Sequence, residues 1–431
     1  MLKREDNDIL VRTGAGTPMG EYFRRYWLPI ALSRELPAPD CPPIRVKVMG
    51  EELVAFRDTQ GRVGLLEPGC AHRGTNLFFG RNEENGLRCV HHGWKFDVTG
   101  KCVDMPNVPP GAAMRDRVSL LAYPTREYGQ MIWAYLGPKE RMPALPMLEH
   151  GLLPDSHVYV TKRLQMSNWA QSMDGTVDTA HFSFLHMPAP GFQSNSNATV
   201  AADEARLRWL RNDPMPQFTI IDHDVGFVIG GARKADGQDY YWRITQFMLP
   251  THSITPSTMP GETYYGYTWV PVDDENVWIY VYAWHPDQPI PAGERAKYEK
   301  GGYGQFAELG PDYVPVRNRN NDYLIDRQAQ KERSYTGIVG VSEQDMMAQE
   351  SQGRIADRSK EHLTASDVGV VHFRRLMLRE ARALAAGTEP AAAGKPEAYR
   401  LRSGGAVFPN NLSFEQVMKE RFGTITGRVP A

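Results

Sequence analysis

The sequence predicts an α+β chain in two parts. A small all-β module covers residues 27–136, and an α+β unit covers residues 137–431 around one antiparallel sheet, with residues 1–26 packing as an N-terminal extension. Three observations carry that expectation. Short alternating apolar runs separated by Gly, Asp and Gln fill the text between residues 44 and 66, the pattern of strands joined by tight turns. A proline-studded linker, Pro138-Lys-Glu-Arg-Met-Pro-Ala-Leu-Pro, then interrupts the chain. Beyond it the texture changes to a helical stretch, five strand-like segments and two more helical stretches.

Taken in order, Thr17 as N-cap with Pro18 at the first helical position starts a short helix through Arg24, Arg25 and Tyr26. The glycines around it, Gly14, Gly16 and Gly20, are spaced G-x-G-x-x-x-G with no apolar strand leading in, so no dinucleotide site follows. The runs Ile44-Arg-Val-Lys-Val-Met, Glu52-Leu-Val-Ala-Phe and Arg62-Val-Gly-Leu-Leu are the module's strands, and Val-Pro-Pro-Gly at 108–111 is a loop. In the second part, residues 165–186 contain a helical stretch, and 218–221, 226–229, 241–247, 263–270 and 277–284 read as strands of an antiparallel sheet. Residues 343–351 and 366–386 read as helices. In the second of these, Val370, Phe373, Met377, Ala381 and Leu384 recur at three- and four-residue steps as a buried face. Residues 388–398, rich in Pro, Ala and Gly, read as a flexible loop.

At 431 residues the chain can bury two or three domains' worth of core. A net charge of −2 without runs of like charge gives no argument for nucleic acid or an anionic membrane as partner. The polar opening Met-Leu-Lys-Arg-Glu-Asp-Asn-Asp is not a signal peptide, and no apolar run approaches the ~18 residues of a membrane span. There are four cysteines, of which Cys41 and Cys102 read as reduced thiols, so a soluble cytoplasmic protein is expected.

The other two cysteines belong to paired boxes. Cys70-Ala71-His72-Arg73-Gly74 and Cys89-Val90-His91-His92-Gly93-Trp94 each offer one cysteine and one histidine, with 16 residues between His72 and Cys89. A structural zinc, a disulfide with bystander histidines, and a Rieske [2Fe–2S] cluster compete for these four ligands. Zinc modules open with C-x₂₋₄-C because one knuckle supplies two ligands to one ion. A mixed pair from each loop instead suits two irons with different ligands, and zinc or a disulfide fit the spacing poorly. Gly74 and Gly93 permit the tight turns that two closing loop tips need. The pair CxHRG…CxxHGW is the Rieske signature. Its spacing selects His92, while alternation along an extended segment turns His91 to the other side, as a packing or hydrogen-bonding residue.

A second constellation lies at 168–186, where Asp178, His181 and His186 follow Asn168-Trp169. Non-heme iron(II) that activates O₂ is commonly held by two His and one carboxylate with open positions left for oxygen. Residues five apart sit ~140° from each other around a regular helix, so His181 and His186 converge only if the helix loosens between them. Pro188 and Pro190 fit a helix ending there. Asp178 shares a helical face with His181 and can hold its ring. Alone, H-x₄-H is a weak signal.

With the boxes upstream, however, the chain resembles the Rieske non-heme iron aromatic-ring hydroxylating oxygenases, α subunit, and most of all the phthalate dioxygenase-like branch. Thr17-Pro-Met-Gly-Glu, Asn168-Trp169, Glu343-Gln-Asp345, Gly353-Arg-Ile-Ala-Asp-Arg358, Glu361-His-Leu and Ser366-Asp367 carry the likeness. The resemblance implies a helix-grip-like catalytic domain. It also implies a cluster held by Cys70, His72, Cys89 and His92, and a mononuclear iron held by His181, His186 and Asp345, with Glu343, Glu350 and Asp357 as nearby alternatives to Asp345. Asp178 would be the catalytic bridging residue toward His92 of a neighbouring subunit, which requires a homotrimer or stacked-trimer hexamer. The implied activity is hydroxylation of an aromatic carboxylate by O₂, with a cis-dihydrodiol as product. Because no flavin or nicotinamide motif is present, the electrons would come from a separate NAD(P)H-dependent reductase with flavin and ferredoxin-type iron–sulfur groups. Demethylation or diaryl-ether cleavage by a monooxygenase is the alternative, and a non-catalytic electron carrier a further one. Arg206 and Arg208, placed at the start of the catalytic sheet, and Arg243, within a strand, alternate with apolar neighbours. An inward-pointing arginine could clamp a carboxylate, though a solvent-facing one is as common for any of them. Since the phthalate dioxygenases it resembles use arginines for carboxylates, Arg243 and Arg206 are the expected substrate-binding residues.

Overall fold

A computed structural model describes residues 2–109, 114–189 and 204–429. Two helices open the chain, α1 (Arg4–Val11) and α2 (Pro18–Phe23). The second starts as expected, with Thr17 Oγ1 accepting from the Gly20 N–H and Pro18 in the first turn, but it ends at Phe23 rather than continuing through Tyr26. The module that follows has three small sheets. One joins β1 (Trp27–Leu32) to β9 (Thr125–Tyr128) and β10 (Met131–Tyr135). The second holds β2 (Ile44–Val48), β3 (Glu51–Arg57) and β4 (Val63–Leu66). The third runs β5 (Arg81–Glu83), β6 (Gly86–Arg88), β7 (Lys95–Phe96) and β8 (Cys102–Asp104). The loops bearing the two boxes close over a small core of Val54, Phe56, Leu66, Leu77, Leu87 and Phe96. By contrast, Trp27 and Trp133 of the first sheet share one apolar core with Trp169 and Trp284 of the second part.

The second part is built on one eight-stranded antiparallel sheet in the order β11-β17-β16-β15-β14-β13-β12, with β18 also on β14. Its strands are β11 (Val158–Gln165), β12 (Gln217–His223), β13 (Gly226–Lys234), β14 (Asp239–Met248), β15 (His252–Ile254), β16 (Tyr264–Pro271), β17 (Val277–Trp284) and β18 (Gly404–Pro409). The helices α3 (Trp169–Val177), α7 (Val341–Glu350) and α8 (Val368–Ala385) position the site, while α4 (Glu204–Asn212), α5 (Ala292–Lys300), α6 (Arg327–Glu332) and α9 (Phe414–Phe422) lie elsewhere in the chain. The expected face of α8 is buried throughout. Phe373 packs edge-on against Trp169 at 5.9 Å between ring centroids, and against Phe247 at 5.1 Å, so α8 joins α3 to the sheet. Truncating Phe373 to Ala would cost about 3–5 kcal/mol.

Two expectations are corrected. Residues 388–398 are not a loose loop: they wind into 3₁₀ turns at Ala391–Gly394 and Pro396–Tyr399, with Ala392 buried and Glu389 paired to Arg25 at 2.9 Å. Arg206 and Arg208 do not start the sheet but lie on α4, whose buried Leu207 and Leu210 follow helical spacing. Pro190 and the Pro110-Gly111 part of the expected loop lie outside the described residues.

Candidate functional site

The two boxes form a pair of matching hairpin tips. The Cys70 N–H donates to the Thr75 carbonyl and the Gly74 N–H to the Cys70 carbonyl, at 2.9 and 2.8 Å. In the second tip the Cys89 N–H donates to the Trp94 carbonyl and the Gly93 N–H to the Cys89 carbonyl, at 2.8 and 3.0 Å. Gly74 and Gly93 take φ of 75° and 77°, so each tip closes through the left-handed region that glycine tolerates. The cysteines are buried and face one another, and burial pushes the Cys70 thiol up to about 11. The rings of His72 and His92 meet edge to face at 4.5 Å, His72 stacks on Trp94 at 4.6 Å, and His72 Nδ1 is buried without a hydrogen-bond partner among the described residues. His91 does not point away from His92. The segment is a turn rather than a strand, so the two rings lie 3.9 Å apart, and His91 is exposed with Nδ1 on Thr75 Oγ1 at 3.0 Å.

The second constellation rests on a broken helix. Asn168 caps α3, its side chain accepting from the Ala170 N–H at 3.1 Å. The helix stops at Asp178, whose Oδ1 accepts from the Ala180 N–H at 2.7 Å, an Asx turn that competes with the helical ladder. A 3₁₀ turn, Ala180–Ser183, follows, so the loosening required between the histidines begins one residue before His181. Arg233 pins the break by donating from Nη2 to the Thr179 carbonyl at 2.7 Å, and Arg243 Nε donates to Thr179 Oγ1 at 2.9 Å. Asp178 is thus a cap rather than a mid-helix neighbour of His181, yet its Oδ2 still stands 3.4 Å from His181 Nδ1.

Across from this turn, α7 brings Asp345. Its Oδ1 lies 3.2 Å from His186 Nε2 and 3.7 Å from His181 Nε2, and one ligand atom from each of the three residues lies within 4.8 Å of the others. Ligands about 2.1 Å from one ion at right angles stand about 3 Å apart, so the three donors fit a single metal. Where α3 meets α7, residue 175 is glycine: a Cβ there would meet Gln349 Nε2 at 2.3 Å, so the Gln349 amide would have to give way. The alternative carboxylates turn elsewhere. Glu343 Oε1 accepts from the Glu308 N–H, Glu350 accepts from the Met166 N–H and the Tyr323 hydroxyl, and Asp357 caps Ser359.

Hydrogen bonds fix the tautomers. Gln344 Nε2 donates to the Ile338 carbonyl at 2.8 Å, so Oε1 is the end that meets His186 Nδ1 at 2.7 Å. His186 therefore carries its proton on Nδ1 and presents the Nε2 lone pair toward Asp345. Burial lowers the His181 pKa, but the Asp178 hydrogen bond and charge outweigh it and leave it raised. Burial likewise raises Asp345, and His186 and His181 bring it back below the ordinary carboxylate value.

A cavity of about 40 Å³ adjoins the triad, lined among others by His181, Asp345, Arg243, Phe182, Tyr267 and Arg163. Through Ser257 and Gln305 it shares walls with a larger cavity of about 400 Å³, where Arg206 sits with Glu262, Tyr298 and His285. Arg243 is fully enclosed: its guanidinium carbon stacks 3.7 Å over the Phe182 ring, and Nη2 is buried without a hydrogen-bond partner among the described residues. Arg206 instead faces Glu262 at 3.3 Å. Of the expected arginines, Arg243 thus stands beside the triad and Arg206 in the adjoining cavity, while Arg208 pairs with Asp236 at 2.6 Å. The sequence reading did not single out Gln344, Arg233 or Arg163.

Residues 26–124 match the family described as the Rieske [2Fe-2S] domain, and residues 134–421 the family described as LigXa C-terminal domain like. The chain is 38% identical to the phthalate 4,5-dioxygenase oxygenase subunit of Pseudomonas putida, across 92% of this chain and 90% of that one. It is 35% identical to the 3-chlorobenzoate-3,4-dioxygenase oxygenase subunit of Comamonas testosteroni, across 98% and 99%. Among solved structures, dicamba monooxygenase bound to dicamba has the same fold, with a TM-score of 0.58 at 17% identity over 84% of this chain and 98% of that one. No helix among the described residues is long and apolar enough to cross a membrane.

Proposed function

Because this chain belongs to the Rieske non-heme iron oxygenases, as an oxygenase component, we propose that it hydroxylates a phthalate- or benzoate-like aromatic carboxylate with O₂, by cis-dihydroxylation. The family's cofactors are a Rieske [2Fe–2S] cluster and a mononuclear non-heme iron, and the donors present here fit both. Two facing thiols and two abutting imidazoles, one with an orphaned buried nitrogen, suit the cluster. Two imidazoles and one carboxylate within reach of a single ion suit the iron. Cys70, His72, Cys89 and His92 would hold the first, and His181, His186 and Asp345 the second. Bound there, the two centres supply one-electron transfer and the activation of O₂.

The observation that carries the substrate class is Arg243, a fully buried guanidinium with an unpartnered Nη2 in the wall of the cavity beside His181 and Asp345. A carboxylate placed against it would meet a fixed, charge-assisted donor and hold the ring toward the triad. Arg206, in the adjoining cavity, would take a second polar group or the approaching acid. Phe182, Tyr267 and Trp269 wall the inner cavity with rings, which orients a planar substrate and keeps bulk water out. Asp178 holds the His181 ring through Nδ1 and, in a homotrimer or stacked-trimer hexamer, would also face His92 of a neighbouring subunit. A separate reductase with flavin and ferredoxin-type iron–sulfur groups would deliver the electrons. Four free cysteines suit a cytoplasmic setting.

The test is oxygen uptake on a panel of benzoates and phthalate isomers with such a reductase, followed by product analysis. Uptake coupled to a cis-dihydrodiol supports the proposal. Uncoupled uptake with every acid, or phenol and aldehyde released from methoxylated acids alone, overturns it.

A further inference from the structure

We propose that Arg163 is a second carboxylate anchor in the inner cavity, so that the site favours aromatic diacids whose acid groups stand across the ring from each other; this rests on the function proposed above. Arg163 lies on β11, at one edge of the large sheet, and three strands separate β11 from the β14 of Arg243 in the sheet order. Yet both side chains line the same cavity beside the triad.

The two reach this cavity from strands well apart in the sheet. Arg163 is 5% exposed, and its Nε is buried without a hydrogen-bond partner among the described residues. Its Nη1 reaches the Gln305 carbonyl only at 3.4 Å, and the guanidinium sits 5.7 Å from the centre of the Tyr267 ring. A guanidinium carries five donors and is expensive to bury without an acidic partner, and Arg163 forms no ion pair among the described residues.

One acid group can satisfy Arg243 and leave Arg163 as it is. A second group in the meta or para position would reach the other wall and satisfy both. Two ortho groups project from the same side of the ring and would compete for one arginine. Arg163 is therefore a specificity-determining residue for the second acid group.

Binding to the iron-loaded enzyme tests this, with benzoate, phthalate, isophthalate and terephthalate as probes and iron per chain measured alongside. The wild type should bind isophthalate or terephthalate at least tenfold more tightly than benzoate. R163Q should lose that advantage, change benzoate affinity less than twofold and keep its iron, while R163K recovers part of the diacid affinity. Equal weakening of benzoate and diacids in R163Q, or loss of iron, would overturn the proposal and assign Arg163 to the support of Asp345. Benzoate binding without any diacid advantage in the wild type overturns it alone. Failure of all four acids to bind overturns both it and the function on which it rests.

Discussion

Gln344→Leu removes the hydrogen bonds to the Ile338 carbonyl and to His186 Nδ1 from the interior, with little change in volume. Gln344 is fully buried and links the Ile338 carbonyl to His186 Nδ1. Each lost bond is worth about 1 kcal/mol, and each group left unsatisfied in the interior costs about 1–3 kcal/mol, so a stability loss of about 2–4 kcal/mol is expected. The larger consequence concerns the metal. Without an acceptor at Nδ1, the His186 proton is free to occupy Nε2, the atom 3.2 Å from Asp345 that must offer a lone pair. Loss of such a partner typically weakens metal binding 10–100-fold, or about 1.4–2.8 kcal/mol. The assay is titration of Fe(II) or Co(II) into protein stripped of its mononuclear metal, with urea unfolding in parallel. Gln344→Glu keeps an acceptor for His186 and loses the donor to Ile338, so it should bind metal nearly as the wild type does while being less stable. If Gln344→Leu binds metal as tightly as the wild type, the ring is set by its packing on Phe182, at 4.8 Å, and the tautomer argument fails.

Three further outcomes are expected. Asp345→Ala should keep the visible absorption of the cluster but lose the third iron atom and turnover; a variant that retains three iron atoms per chain would assign the ligand to another carboxylate. Asp178→Asn should keep both metal centres and slow electron transfer between them, and a normal transfer rate in single-turnover kinetics would count against the bridge between subunits. Burial raises the Glu343 carboxyl from its ordinary 4.5 to about 7, so the fold holds a proton that the unfolded chain loses between these values. Stability should then fall by about 3 kcal/mol as pH rises from 4.5 to 7. Glu343→Gln should escape that loss, with an advantage over the wild type that grows through this window and levels off above it. A gap independent of pH in urea melts from pH 4.5 to 8.5 would refute the assignment.

What could be read in advance, and what could not, follows from the range over which each feature is encoded. The two boxes are local: four donors and two glycines within 25 residues define the hairpin tips, and the sheets around them add only support. The large sheet was legible because β13, β14, β16 and β17 carry long apolar and aromatic runs, whereas β18 is short and begins with two glycines, a poor strand signal. Arg206 was misplaced because Arg206-Leu207-Arg208-Trp209 alternates like a strand over four residues, and only Leu210, buried three residues after Leu207, reveals the helix. Arg163, Arg233 and Gln344 have no local signature, since Arg163 and Arg233 bond to Gln305 and Thr179, and Gln344 meets His186, all far along the chain. The choice of Asp345 over its neighbours is of this second kind. Residue 345 stands about 140–160° from both 343 and 350 around the helix, while 343 and 350 share a face, so α7 can turn either Asp345 or the other two toward the histidines. Which one does so is a matter of the rotation of α7. That rotation is set where Gln171 Nε2 donates to the carbonyls of Gln349 and Gly353, Gln165 grips the Gln349 amide, and Gly175 leaves room for that amide. The third donor of the triad is thus chosen by packing at the far end of its own helix.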